Sequence, residues 1–194
     1  MKTIVSVLIS ILIMIQMSTP AMAASITPTD SSPAMVGYMT NEEGISIKIH
    51  GELLEAQAVH NQDDTYSATY LYRTPIVSGS NTTDSPDSGY SSHVYLTIKY
   101  KVKDSRHFLL TSISGYREIQ DSRVSVTKSK IDYISGVKQF KNDIKASNHF
   151  NKTTGFTEYT EDDGTFSDVG AELKLKYLMG DSRTWSFSLN NFVL

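Results

Sequence analysis

The chain has 194 residues, contains no cysteine and carries a formal net charge of −3. Without cysteine it cannot form disulfides, thiolate nucleophiles, zinc–cysteine sites or the cysteine-linked lipid anchor of bacterial lipoproteins. The mildly acidic balance, with lysines scattered along the chain, is not the electrostatic pattern of a nucleic-acid-binding protein, so no nucleic-acid partner is expected.

Residues 1–23 have the pattern of an export signal peptide. Lys2 provides a positive start, residues 4–17 form an apolar run, and Ala21-Met22-Ala23 is the small-x-small pattern that signal peptidase cleaves. The run is shorter than the roughly 20 residues of a membrane-spanning helix. No later run has spanning length, so no transmembrane span is expected after cleavage. We predict a secreted, extracellular or cell-surface bacterial protein (periplasmic if the source is Gram-negative), and the short signal favours a Gram-positive source.

The remaining 171 residues are the length of a single domain. Residues 24–44 are polar and turn-rich, and we predict a flexible N-terminal arm there. We predict a single antiparallel β domain over residues 45–194. Its first strand is indicated by Ile45, Ile47 and Ile49, which alternate with polar residues. Residues 78–92 are rich in Ser, Asp and Gly, which is typical of an exposed loop.

Strict alternation makes the later strands clearer. Residues 93–103 place an unbroken apolar face opposite a face with three lysines, and residues 107–119 follow after a turn as an antiparallel partner. Residues 129–150 mix helical spacing with β-branched residues, and we predict one short helix within them. Residues 171–177 and 184–189 predict a final hairpin that buries Trp185. Together these patterns predict an all-β fold, either an antiparallel β-sandwich or a small β-barrel.

The sequence contains no recognisable metal site or cofactor motif. His93 and His107 would approach each other across the hairpin of residues 93–119, but no third ligand accompanies them. Asp162, Asp163 and Asp168 are weak calcium candidates, because they lack the spacing of a calcium-binding loop. We therefore expect neither a bound metal nor another cofactor.

No catalytic residue is predicted. Ser125 and Lys128 match the S-x-x-K pattern of penicillin-recognising enzymes, but their segment reads as a strand, where an offset of three places the two side chains on opposite faces. An extracellular hydrolase whose site is assembled from distant residues stays an alternative.

Tyrosines are the main candidate binding residues, since a tyrosine ring offers a large contact area with a polar tip. Several tyrosines are predicted on solvent-facing sides of strands or in loops, and they form the candidate binding set: Tyr66, Tyr70, Tyr72, Tyr90 and Tyr95. Such residues suit stacking on a sugar or contact with a protein.

Three C-terminal segments, residues 154–159, 169–171 and 184–189, resemble the C-terminal part of small secreted proteins of Gram-positive bacteria that belong to domain-of-unknown-function families. The resemblance covers about the last 40 residues. It implies an all-β domain and no particular activity.

The sequence thus favours a non-catalytic exported binding module, whose target is a cell-wall polymer, a glycan or a protein. The hydrolase is the alternative reading. A third is a membrane or pore-forming β-barrel, which the alternation of residues 93–103 and 184–194 would allow.

Overall fold

The computed structural model describes residues 35–57, 65–75, 89–143, 148–162, 169–179 and 183–193. They form strands β1 (Val36–Asn41), β2 (Ser46–Gln57), β3 (Thr65–Pro75), β4 (Tyr90–Asp104), β5 (His107–Ile119), β6 (Val124–Ser135), β7 (Lys138–Asp143), β8 (His149–Thr153), β9 (Thr160–Glu161), β10 (Val169–Met179) and β11 (Arg183–Phe192).

The strands form one antiparallel sheet in the order β7-β6-β10-β11-β1-β2-β3-β4-β5-β8, with β9 paired to β5. The sheet curls into a half-barrel, which confirms the predicted all-β antiparallel class. Strand β2 belongs to both parts of it, because residues 46–50 pair with β1 and residues 51–57 pair with β3. We call the strands from β7 to β1 the β10 half, and those from β3 to β8 the β4 half.

The inner faces of the two halves share one apolar core, because alternate residues of each strand point inward. Its largest fully buried side chains come from both halves: Trp185, Tyr72, Tyr177, Met39, Leu96 and Ile98. Complete burial of side chains of this size stabilises the fold by roughly 1.5–3 kcal/mol each. The predicted β4–β5 and β10–β11 hairpins are both confirmed, as is the burial of Trp185.

Side-chain hydrogen bonds tie the two halves together across this core. Asn191 of β11 is fully buried, and its Nδ2 donates to the carbonyl oxygens of Ala68 (3.0 Å) and Leu96 (2.8 Å) in the opposite half. The Tyr72 hydroxyl donates in the other direction, to the Asn190 carbonyl. These bonds fix how far the two halves can slide on each other.

Three predictions are corrected by the strands observed. The loop predicted over residues 78–92 is wrong over residues 90–92, which begin β4. The flexible arm predicted over residues 24–44 is wrong over residues 36–41, which form β1 between β11 and β2. Gly37 and Met39 are its inward residues, and the glycine leaves the apolar alternation too weak to read. The short helix predicted within residues 129–150 is wrong over residues 129–143 and 148–150. Those residues lie in β6, β7 and the start of β8, and a turn at Gly136 (φ +59°) separates β6 from β7.

Several predicted features lie outside the described residues. They are the signal peptide over residues 1–23, residues 24–34 of the arm, residues 78–88 of the predicted loop, and the calcium candidates Asp163 and Asp168. Within the described ranges, a search for bilayer-crossing helices found none.

Candidate binding faces

The two candidate metal ligands do not meet. His93 of β4 lies opposite Glu118, whereas His107 of β5 lies opposite Asp104 at the other end of the same hairpin. The prediction that the two imidazoles approach each other is therefore wrong, because antiparallel pairing brings together residues equidistant from the turn. Each imidazole instead faces a carboxylate, with Nδ1 of His107 2.7 Å from Asp104 Oδ1. Throughout the described part of the chain, His, Asp and Glu form no group of three that could hold a metal.

The candidate tyrosines fall into different environments. Tyr70 and Tyr72 are buried in the core, so their prediction as surface binding residues is wrong. The physical reason is that their strand, β3, faces the β10 half with its tyrosine side. Tyr66 packs on Tyr100 with ring centroids 5.8 Å apart. Tyr90 is exposed but already holds His93 against its ring, at 5.6 Å.

Tyr95 belongs to a stack on the outer face of the β4 half. Tyr95, Tyr116 and His149 lie directly opposite one another on β4, β5 and β8, and we call them the tyrosine ladder. The Tyr95 and Tyr116 rings are 4.1 Å apart and nearly parallel, and the Tyr116 and His149 rings are 5.3 Å apart. Burial, and then the neighbouring Tyr95 hydroxyl, raise the pKa of Tyr116 to about 12.

The ring faces of the two tyrosines in the ladder are occupied by neighbouring side chains of the same sheet. Tyr116 has an aromatic ring on each side, and Tyr95 has Tyr116 on one side and the buried Leu71 as its cross-strand neighbour on the other. Stacking of a sugar or base needs a free ring face. The faces of the Tyr95 and Tyr116 rings are therefore used within the stack, which stabilises the β4 half, and the stack ends at the exposed His149 on the terminal strand β8.

The outer face of the β10 half carries a different set of side chains. Strands β6 and β10 pair so that Lys130 lies opposite Lys174 and Lys128 lies opposite Lys176. Lys48 lies on the same face two strands beyond β11. We call Lys48, Lys128, Lys130, Lys174 and Lys176 the lysine face.

The four lysines on β6 and β10, which we call the central lysines, differ in whether a carboxylate neutralises them. Lys174 Nζ lies 2.7 Å from Asp132 Oδ2 and 2.7 Å from Glu172 Oε2, and these hydrogen bonds raise the pKa of Lys174. Lys128 and Lys176 are both exposed, and neither makes an ion pair with any described residue. Like charges directly opposite each other on neighbouring strands destabilise a sheet. The pair formed by Lys128 and Lys176 is therefore the place on this face where a bound anion would relieve repulsion.

Hydroxyl groups continue the row that this pair begins. Ser186 of β11 lies opposite Lys176, Thr40 of β1 lies opposite Ser186, and Ser46 of β2 lies opposite Thr40. A groove of about 340 Å³ runs over this region, and its outward-facing lining side chains are Tyr38, Thr40, Lys128, Lys130, Lys174, Lys176, Ser186 and Ser188. Tyr38 is 48% exposed. Amines and hydroxyls in a row across five strands, beside an exposed aromatic ring, are hydrogen-bond and charge partners for an anionic polyol.

The prediction that Ser125 and Lys128 lie on opposite faces of their strand is wrong. A register shift beside Tyr177 makes Val126 and Lys128 the partners of consecutive β10 residues, so β6 bulges at Thr127. Ser125 and Lys128 consequently share the outward face, instead of lying on opposite faces as predicted. No hydrogen bond joins them, and the helical geometry of the S-x-x-K pattern is absent from this strand.

Sequence reasoning missed the lysine face as a unit. A signal was present, because Lys-x-Lys occurs at residues 128–130 and again at residues 174–176. Each motif alone is typical of the solvated side of a strand. Only the pairing of β6 with β10 places the two motifs side by side.

Comparisons of this chain with models of protein families, with curated proteins and with solved structures found no match.

Proposed function

We propose that this is an exported, non-catalytic binding protein whose lysine face holds an anionic polymer of the bacterial cell surface. The observation that carries the proposal is the cross-strand pair of Lys128 and Lys176, two exposed cations placed opposite each other with no carboxylate partner among the described residues. Such a pair raises the free energy of the unliganded protein, and an anion lowers it again.

The surrounding charge distribution supports this choice. Without residues 1–23 the chain has a formal charge of −4, so a cluster of lysines on one face runs against the overall balance. Lys174 is held in place by its two carboxylate neighbours, whereas Lys128 and Lys176 stay available. A local positive surface on an acidic protein attracts anions without promoting general adhesion to nucleic acid.

The length of the row of amines and hydroxyls favours a polymer over a small solute. Strands in a sheet lie about 4.8 Å apart, so the row from Lys128 through Ser186 to Ser46 covers about 19 Å. This length matches several repeating units of a chain, and the hydroxyl side chains suit its polyol or sugar parts. Phosphate and carboxylate groups both fit the lysines, so the polymer class is defined by its negative charge.

The test is direct binding of residues 24–194 to immobilised poly(glycerol phosphate) and polygalacturonate, with neutral dextran as the uncharged reference. We expect the wild-type chain to bind one or both anionic polymers with strong salt dependence. The K128Q/K176Q variant should bind roughly thirtyfold more weakly, since each lysine near an anionic surface contributes about 1 kcal/mol.

The matched control is K99Q/K103Q, which removes the same charge from exposed positions on β4. It should leave affinity within about twofold of the wild type. An equal loss in both variants would mean that net charge alone governs binding, and binding to dextran as strong as to the anionic polymers would contradict the proposal outright.

A further inference from the structure

A second site lies inside the fold, around an arginine. Arg117 of β5 points inward in the same row as Ile113, opposite the fully buried Val94. Only 5% of its surface is exposed. Arginine in an inward-facing row is uncommon, because a buried cation loses its hydration and needs a compensating negative charge.

The described residues supply no such charge. Nη1 of Arg117 donates to the hydroxyl of Ser129 at 3.3 Å, and Nε has no hydrogen-bond partner. The other polar group close enough to interact electrostatically is the Tyr177 hydroxyl, which bonds to Ser92 at 2.9 Å and whose pKa is raised by burial. That hydroxyl is therefore neutral at physiological pH and does not balance the guanidinium.

A small cavity adjoins the guanidinium. It has a volume of about 10 Å³ and is lined by Arg117, Ser129 and apolar or aromatic neighbours that include Leu173 and Phe150. This volume corresponds to about one water-sized sphere. The exposed residue Asn148, which directly precedes β8, also lines it.

We propose that this cavity binds a single monatomic anion, chloride in physiological solution, held by the Arg117 guanidinium and the Ser129 hydroxyl. Ser129 accepts a hydrogen bond from Arg117, which leaves its own hydrogen free to donate to the ion. The cavity is too small for a phosphate or a carboxylate ligand, and the uncompensated charge of the guanidinium favours a halide over water. The site is separate from the lysine face, which lies on the outer surface.

Thermal unfolding in different anions tests the proposal. Residues 24–194 are heated in sodium chloride mixed with sodium gluconate at constant ionic strength, since gluconate is too large for the cavity. A ligand that binds only the folded state raises Tm with the logarithm of its concentration, here by roughly 3–5 °C for each tenfold rise in chloride above the dissociation constant. The R117M variant, which has no charge to compensate, should show no such rise.

Two further measurements distinguish a halide at Arg117 from anion binding on the lysine face and from a buried water. K128Q/K176Q should keep the full chloride effect, and its loss in that variant would assign the effect to the lysine face and overturn the proposal. Crystals of the wild-type chain grown in bromide should show an anomalous peak beside Arg117 and Ser129, which decides the matter even if R117M fails to fold. Absence of that peak would contradict anion binding in the cavity, and an equal rise of Tm in R117M would place the chloride effect elsewhere, so either result would overturn the proposal.

Discussion

The lysine face and the tyrosine ladder are both outward surfaces of the same sheet, yet they differ in how far their side chains satisfy one another. In the ladder, the Tyr95 and Tyr116 rings are covered by their cross-strand neighbours, and the stack ends at the exposed His149 on β8. On the lysine face, Lys128 and Lys176 meet as like charges. Cross-strand neighbours stabilise the fold in the first case and destabilise it in the second.

This difference teaches where to look for function on a sheet. A row of well-matched pairs needs no ligand, even when it contains the residue type most common at binding sites. A row of like-charged pairs lowers stability, and a ligand of opposite charge is expected to bind where that repulsion is strongest. The comparison predicts that a substitution relieving repulsion on the lysine face raises stability and lowers affinity, whereas a substitution in the tyrosine ladder lowers stability and leaves affinity unchanged.

The largest effect on affinity for anionic polymer is expected from K176E on the lysine face. The new Glu would lie opposite Lys128 as an attractive pair, so we expect the free energy of unfolding to rise by about 0.5 kcal/mol. Affinity for anionic polymer should fall roughly thirtyfold, because one cation is lost and one anion is added. Denaturant titration and polymer binding measure the two. A variant that lost stability and affinity together would contradict the comparison.

A large effect on stability alone is expected from Y116A in the ladder. The change removes two stacked contacts, each worth about 0.5–1.5 kcal/mol, and we expect the free energy of unfolding to fall by about 2 kcal/mol. Urea denaturation measures it, with Y116F as the control that keeps the ring. Affinity for anionic polymer should not change. A loss of affinity in a still-folded Y116A would place the ligand on the β4 half.

A smaller effect is expected at alkaline pH. The pKa of Tyr116 is raised to about 12 in the fold, against about 10 in an unfolded chain. Between pH 10 and pH 12 the unfolded chain therefore binds fewer protons than the native state, so this group's contribution makes stability fall as pH rises through that range and is constant below it. Other buried tyrosines add to the fall, and Y116F should have a shallower pH dependence than the wild type. Equal slopes in the two would show that the hydroxyl titrates normally.

The smallest effect is expected from K48Q. Lys48 lies beyond Tyr38, at the edge of the lysine face away from the pair of Lys128 and Lys176. We expect its neutralisation to lower affinity about twofold or less, because about 14 Å separates it from the nearest central lysine, which exceeds the screening length of about 8 Å in physiological salt. Binding to the immobilised polymers measures it. A loss as large as that of K128Q/K176Q would mean that the polymer is held across the full width from β6 to β2.

Much of the fold was predictable because apolar and polar residues alternate locally along its strands. The hairpin of β4 and β5 and that of β10 and β11 each alternate cleanly and join through a short connection. Strand β1 was missed because Gly37 occupies an inward position without a side chain. Residues 129–143 were misread because Ile131, Ile134, Val137 and Phe140 recur near a helical spacing. The bulge at Thr127 explains the separate error about Ser125 and Lys128.

The candidate site was harder to predict, for a different reason. The lysine face requires residues 128–130 to meet residues 174–176, and no local pattern specifies which distant strands will pair. The burial of Tyr70 and Tyr72 likewise depends on which side of β3 faces the core. Arg117 could be recognised as out of place only once its row was seen to point inward.

The position of β1 has a consequence for how the chain acquires its structure. Its two neighbours are β2, which follows directly, and β11, which ends at Phe192. Synthesis that proceeds from the amino end therefore leaves one edge of β1 without a partner until β11 has emerged. Contacts between such distant segments make β-proteins slow to fold, on the millisecond-to-second scale. The completion of this sheet therefore depends on β11, and a nascent chain lacking β11 stays incompletely folded.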